Sequence, residues 1–241
     1  MMQRMFDHFV DPADHLALDE AILMRSESSG PSHDVLRVWE FTHPVVIAGR
    51  STRVDFEVNT DYCRDQGIPV LRRCSGGASV VGGPGCLMYS VVLSHQGREE
   101  LKRIDAAHAF VMGRVLKAVR QQVDQAELQG ICDLTYKDRK CSGNSLRVTR
   151  GRLLYHGTLL YDFDLSLLAS CLLEAPRQPT YRQGRGHGAF VTNVPIDPTA
   201  FATDFAQAFG VEGTADANSL QTQIRELREQ RYDSQAWHFR H

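Results

Sequence analysis

At 241 residues, with 42% hydrophobic and 23% charged side chains, the chain is long enough to bury one large core. A formal net charge of -2 gives no broad attraction to nucleic acid or an anionic membrane, and no apolar run approaches the roughly 20 residues of a bilayer span. The acidic N-terminus (Asp7, Asp11, Asp14, Asp19) is unlike a secretory leader, and six scattered cysteines without a CxxC pair read as reduced thiols in a cytosol, not a zinc or redox site.

Asp11-Pro12 reads as a cap followed by proline in the first turn, opening a helix through Met24. Ser26 to Ser32 is polar and predicts a loop. Val35–Trp39 alternates as a strand does, and Val45–Ala48 reads as a more buried strand after a Thr42-His43-Pro44 turn. A short helix is expected over Thr60–Gln66, closed by Gly67 before a strand at Ile68. Ala78–Val81 and Leu87–Leu93 predict strands joined by the Gly82-Gly83-Pro84-Gly85 turn. Asp105 is expected to cap a helix whose stripe is Ala107, Phe110, Val111, Val115, Ala118 and Val119. Strands follow near Cys132–Tyr136, Lys140–Val148 and Leu153–Tyr161, then a helix from Asp164 to Leu173 that stops before Pro176. Arg177 to Gly188, with Tyr181, Arg182, Arg185 and His187, reads as an ordered functional loop over the site or at a docking face. Helices are expected over Pro198–Phe209 and Leu220–Tyr232, with the tail either anchored to the domain by Trp237 or docking a partner. The expectation is one α+β domain over residues 1–241, with mixed, largely antiparallel sheets, packed helices and no separate C-terminal accessory domain.

Two segments carry the chemistry: Arg72-Arg73-Cys74-Ser75-Gly76-Gly77 and Lys140-Cys141-Ser142-Gly143-Asn144. Each couples a cation to a Ser-Gly turn at the end of a strand. Glycine lets several backbone N–H groups approach one anion, and Lys140 adds a mobile point charge. The pair suggests a site for a carboxylate, a phosphate, or a carboxylate being joined to a phosphate.

Five stretches, in order and spacing, resemble the catalytic domain of the lipoate–protein ligases and their octanoyltransferase and biotin-ligase relatives. They are Leu16-Ala17-Leu18-Asp19-Glu20, Val45–Arg50, the Arg-Arg-x-Ser-Gly-Gly loop, Lys140-x-Ser142-Gly143, and His156-Gly157-Thr158-Leu159-Leu160. The biotin-ligase branch fits less well, because Ser142 stands where that branch has glycine. The resemblance implies the biotin/lipoate ligase catalytic fold and a lipoyl or octanoyl substrate. It also implies activation with ATP and Mg²⁺ as an acyl-adenylate, with transfer to a lysine of a lipoyl-carrier domain. That carrier would be a 2-oxoacid dehydrogenase E2 or a glycine-cleavage H protein. By the same resemblance, Lys140 is the catalytic cation. Arg72, Arg73, Ser75, Gly76, Gly77, Ala78, Ser142, Gly143, His156 and Gly157 contact substrate or adenylate, and no acidic pair identifies metal ligands.

The chain departs from the ligase pattern after the loop. A third glycine and a His-Asp pair are replaced by Ala78, Gly82 and Gly83, which puts nucleotide handling in question. An alternative is an octanoyltransferase that takes an acyl group from acyl-carrier protein on a cysteine. Cys132 is the candidate, with a thiol activated by the nearby lysine. A third reading is a non-catalytic module that keeps the acyl or carrier site.

Overall fold

The computed structural model describes residues 1–25, 34–174 and 178–241; the loop expected over Ser26–Ser32, the Pro176 stop and Arg177 lie outside the described residues. Strand β6 (Cys86–Ser94) sets the architecture. All nine of its residues are buried, so this segment reads as an apolar run with no polar face. It pairs antiparallel with β2 (Asp34–Glu40) and with β11 (Arg152–Leu160). Antiparallel β10 (Asn144–Val148) extends β11, and β1 (Met2–Phe6) and β12 (Val211–Asp216) extend the other edge in parallel. The resulting six-stranded order is β10-β11-β6-β2-β1-β12.

Alternation along these strands feeds two cores, one on each face. On one face lie α1 (Pro12–Met24) and a small sheet of β3 (Val45–Ala48), β4 (Val70–Arg72) and β5 (Val80–Gly82) in the order β4-β3-β5. Leu16, Leu18 and Ile22 pack there with Val35, Met88, Val92 and Leu154. On the other face, Val111, Val115 and Val119 of α4 (Ile104–Val119) and Phe201 and Phe205 of α7 (Pro198–Ala208) meet Leu36, Tyr89, Val91 and Tyr155. A third sheet joins β7 (Ala126–Gln129), β8 (Asp133–Tyr136) and β9 (Arg139–Ser142). Among the described residues no helix is long and apolar enough to cross a membrane.

Local signals account for the element starts. The Asp11 carboxylate accepts from the Ala13 amide at 2.9 Å with Pro12 behind it, and Asp197 accepts from Ala200 at 2.7 Å ahead of α7. Asp105 does not cap α4: Arg103 holds that position, and Asp105 sits in the first turn paired with it. Within the α4 stripe Phe110 is only half-buried, its ring covered by the Arg114 guanidinium at 3.6 Å.

The larger difference concerns Lys140–Val148, expected as one strand. It is two strands in two sheets: β9 pairs with β8, β10 pairs with β11, and Gly143 lies between them. The strands β1, β7 and β12 were not expected; β7 and β12 lie at sheet edges, and all three are short and carry polar residues. The C-terminal helix is shorter than expected, with α8 (Gln221–Leu227) giving way to a π-helical turn, Arg228–Tyr232.

Candidate active site

The loop between β4 and β5 is folded around one side chain, that of Arg73. Its buried guanidinium donates to the carbonyls of Ile47 at 3.0 Å, Gly76 at 2.5 Å and Ala78 at 3.0 Å, and to Ser75 Oγ at 3.1 Å. Burial lowers its pKa to about 10, which leaves it charged at neutral pH. With the loop carbonyls drawn to Arg73, Thr52 and Ser145, no protein acceptor among the described residues meets the amides of Gly76, Gly77 or Ala78. Successive free N–H groups of this kind form an anion-binding nest. Gly77 has φ of +84°, and a Cβ at Gly49 would lie 1.9 Å from the Gly77 carbonyl oxygen, so both positions require glycine.

His156 on β11 ties this loop to α1. Asp19 is buried, and Arg37 and His156 outweigh the upward push of burial and hold its carboxyl below the usual range. A carboxylate only accepts, so His156 Nδ1–H donates to Asp19 Oδ2 at 3.1 Å, leaving Nε2 to accept from the Ser75 hydroxyl at 2.5 Å. Ser75 is almost fully buried and serves the loop's shape.

Lys140 comes from β9, its Nζ 2.7 Å from Asp133 Oδ1 on β8, and Tyr181 donates to the other Asp133 oxygen at 2.8 Å. The side chain is partly exposed, and it separates two cavities. The first encloses about 650 Å³ of empty space, mouth included, over an apolar floor of Leu16, Trp39, Ile47, Val80 and Met88. Arg73, Gly77, Asn144, His156 and Thr158 ring its polar end. The second, about 760 Å³ on the same measure, is lined by Val81, Leu160, Leu168, Leu172 and Phe190, with Arg182 and His187. Ala78, Ser79, Val80, Lys140, Gly143 and Thr158 line both cavities.

The expected site residues divide accordingly. Lys140, Arg73, Gly77, Ala78, Gly143, His156 and Gly157 line the first cavity, Ser142 lines the second, and Ser75 and Gly76 form the loop behind. Arg72 is a correction. Its guanidinium is buried on the opposite side of β4, donating to the carbonyls of Gly49 at 2.6 Å, Thr52 at 2.8 Å and His238 at 2.7 Å. Neighbouring strand residues point to opposite faces, so adjacent arginines serve different ends. The activation expected at Cys132 is a second correction. Burial pushes that thiol up to about 11, Asp133 adds to the rise, and Lys140 offsets only part because it is paired with Asp133.

Trp39, Met88, Asn144 and Asp133 were not singled out as site residues. Asn144 donates to Cys132 O at 2.8 Å and to Ser142 Oγ at 3.0 Å, and accepts from the Tyr89 hydroxyl. The one signal for Trp39 was its place in the alternation of β2.

The family profile described as the lipoyl protein ligase A/B catalytic domain matches residues 11–209. The chain belongs to that family. Lipoate-protein ligase LplJ of Bacillus subtilis is 32% identical to it over 164 residues, which is 67% of this chain and 46% of that protein. The chain thus spans about half the length of that curated relative. In fold it resembles an archaeal bipartite lipoate protein ligase from Thermoplasma acidophilum, solved in a study with its E2 lipoyl domain. The TM-score is 0.82 at 22% identity, over 98% of this chain and 95% of that one. A lipoate-protein ligase A bound with ATP superposes with a TM-score of 0.79 at 23% identity, over 99% of both chains. Every residue lining the two cavities, from Leu16 to Val191, lies within the stretch that the profile covers.

Proposed function

We propose that this chain is the catalytic unit of a lipoate–protein ligase, joining lipoate or octanoate to AMP and passing the acyl group to a lysine of a lipoyl-carrier domain. The observation that carries the reading is Lys140 standing between two cavities that share one wall of the glycine loop. A mixed anhydride has an apolar chain on one side of its reacting carbon and a nucleotide on the other. The first cavity, with its apolar floor, takes the chain; the second takes the nucleotide.

A free carboxylate repels nucleophiles and has no competent leaving group. Attack of its oxygen on the α-phosphorus of ATP expels pyrophosphate and converts the acid into an acyl-adenylate. The carrier amine then attacks the carbonyl carbon, and AMP leaves. Both steps place negative charge near the ammonium of Lys140 and the free amides of Gly76, Gly77 and Ala78. Donors fixed in advance lower the barrier without reorganising. Mg²⁺ accompanies the nucleotide in such chemistry. Among the described residues no three His, Cys, Asp or Glu side chains cluster to form a protein cage for it, so no step is assigned to a protein-held ion.

The test is ATP–pyrophosphate exchange in the presence of lipoate or octanoate. Exchange should persist in Cys132→Ser and fall about a hundredfold or more in Lys140→Ala, the scale of losing one preorganised donor, with little change in melting temperature. No exchange, together with octanoyl transfer from acyl-carrier protein that Cys132→Ser abolishes, would replace this reading with the transferase. Acyl or carrier binding with neither activity would leave a binding module.

A further inference from the structure

The second cavity contains a buried cation without a counter-ion. Arg182 ends the 3₁₀ turn Thr180–Arg182 in the segment that crosses over the cavity, and it is 5% exposed. Its Nε donates to Arg185 O at 2.7 Å, and the guanidinium carbon lies 5.0 Å from the centre of the Phe190 ring. Among the described residues no carboxylate stands within ion-pair distance of it, and its Nη2 is buried with no acceptor. Arg72 and Arg73, by contrast, have their donors met within the protein. A guanidinium taken out of water without such partners is strongly unfavourable unless something else supplies acceptors.

A second unmet donor lies on the shared wall. The Ser79 hydroxyl is buried with no partner, although its own amide is held by Glu57 Oε2 at 2.7 Å. Ser79 and Arg182 line the same cavity as Lys140, next to the free amide of Ala78. Arg182, the Asp133-paired Lys140, a hydroxyl and an amide, all donors, thus line a space whose other lining is mainly apolar. That set fits oxygen atoms carrying multiple negative charge. It does not fit a nucleobase alone, which would leave the guanidinium charge unbalanced.

We propose that Arg182 and Ser79 bind the phosphate groups of the nucleotide, a task that rests on the ligase reading above. The crossing segment brings the charge from the opposite side of the cavity. Arg182 is then a phosphate-binding residue, and Ser79 positions the same group from the loop.

The full chain is titrated calorimetrically with pyrophosphate, with ATP and, separately, with lipoate. Arg182→Met should weaken pyrophosphate and ATP binding about tenfold or more, with Arg182→Lys recovering part of the loss. Ser79→Ala breaks no hydrogen bond within the protein, so it should keep the wild-type melting temperature while weakening the same ligands about threefold. Lipoate affinity should be unchanged in both Arg182 variants, since Arg182 lines the second cavity and not the first. Wild-type pyrophosphate affinity in Arg182→Met, or in Ser79→Ala should Arg182→Met not fold, would overturn the proposal, as would absence of pyrophosphate binding by the native chain. Arg182-dependent pyrophosphate binding without any ATP–pyrophosphate exchange would instead sink the ligase reading and leave this anion site standing.

Discussion

A single methyl group at position 49 tests how tightly the glycine loop is seated. The Cβ of Gly49→Ala would meet the Gly77 carbonyl at 1.9 Å and Thr52 Oγ1 at 2.9 Å, and backbone cannot swing aside as a side chain does. Expected outcomes are a lower melting temperature and loss of ATP–pyrophosphate exchange, with the exchange loss the larger. Unaltered exchange in a folded variant would show that the loop moves freely. A second residue-scale expectation concerns acid. Burial, with Arg37 adding to it, lowers the His15 pKa to about 4, against a partial upward pull from Asp7. An unfolded chain binds that proton near pH 6.5, so the stability held by neutral His15 is present above that pH and drains away between 6.5 and about 4. Urea unfolding across this window should show a shallower slope in His15→Gln. At this scale residue types were legible and directions were not. Arg72 and Arg73 read alike as a dipeptide and both clamp backbone carbonyls, but Arg72 does so against the C-terminal tail and Arg73 inside the glycine loop at the cavity wall. Cys132 and Lys140 were expected to interact, but the intervening Asp133 takes the ammonium.

Among elements, the break at Gly143 matters most. The run from 140 to 148, expected as one strand, is mostly polar and carries Gly143, a turn signal, and pairing with two different sheets fixes the break there. The consequence is functional: Lys140 projects from the small sheet and Asn144 begins the large one, so both reach the same cavity from either side of a turn. Close approach at that junction depends on Gly157. A Cβ there would lie 1.9 Å from Asn144 Oδ1 and 2.7 Å from the Tyr89 hydroxyl. Asn144 is already committed through its amide to Cys132 and Ser142, so it has little room to yield. Gly157→Ala should therefore destabilise by about 1–3 kcal/mol, as overpacking does, measured by urea unfolding. A neutral effect would mean that the β10–β11 junction is looser than drawn. Elements with strong caps or long periodicity, α1, α4, α7 and β6, were readable from the chain; the short strands β1, β7 and β12 were not.

Across the whole molecule, the last residues are part of the site's scaffold although they lie beyond the stretch shared with the family profile. Arg72 donates to Trp237 O and His238 O, Trp237 Nε1 donates back to Arg72 O at 3.0 Å, and Tyr232 donates to buried Glu20 Oε2 at 2.7 Å. Deleting residues 235–241 would strand a buried guanidinium with only part of its acceptors, a loss of roughly 3 kcal/mol or more at the usual cost of unmet charged donors. Denaturant titration should show that loss; an unchanged midpoint would assign the tail no structural weight. Trp237 as an anchor was foreseeable from its isolation in a polar tail, but its partner 165 positions earlier was not.

The placement of Lys140 on a partition also bears on turnover. Each chamber has residues of its own beside the wall they share, so neither substrate has to depart before the other arrives, and both must be present for a bond to form where they meet. Initial-rate plots against the acid and the nucleotide should then intersect, whereas an enzyme that parks its cargo on a thiol gives parallel lines.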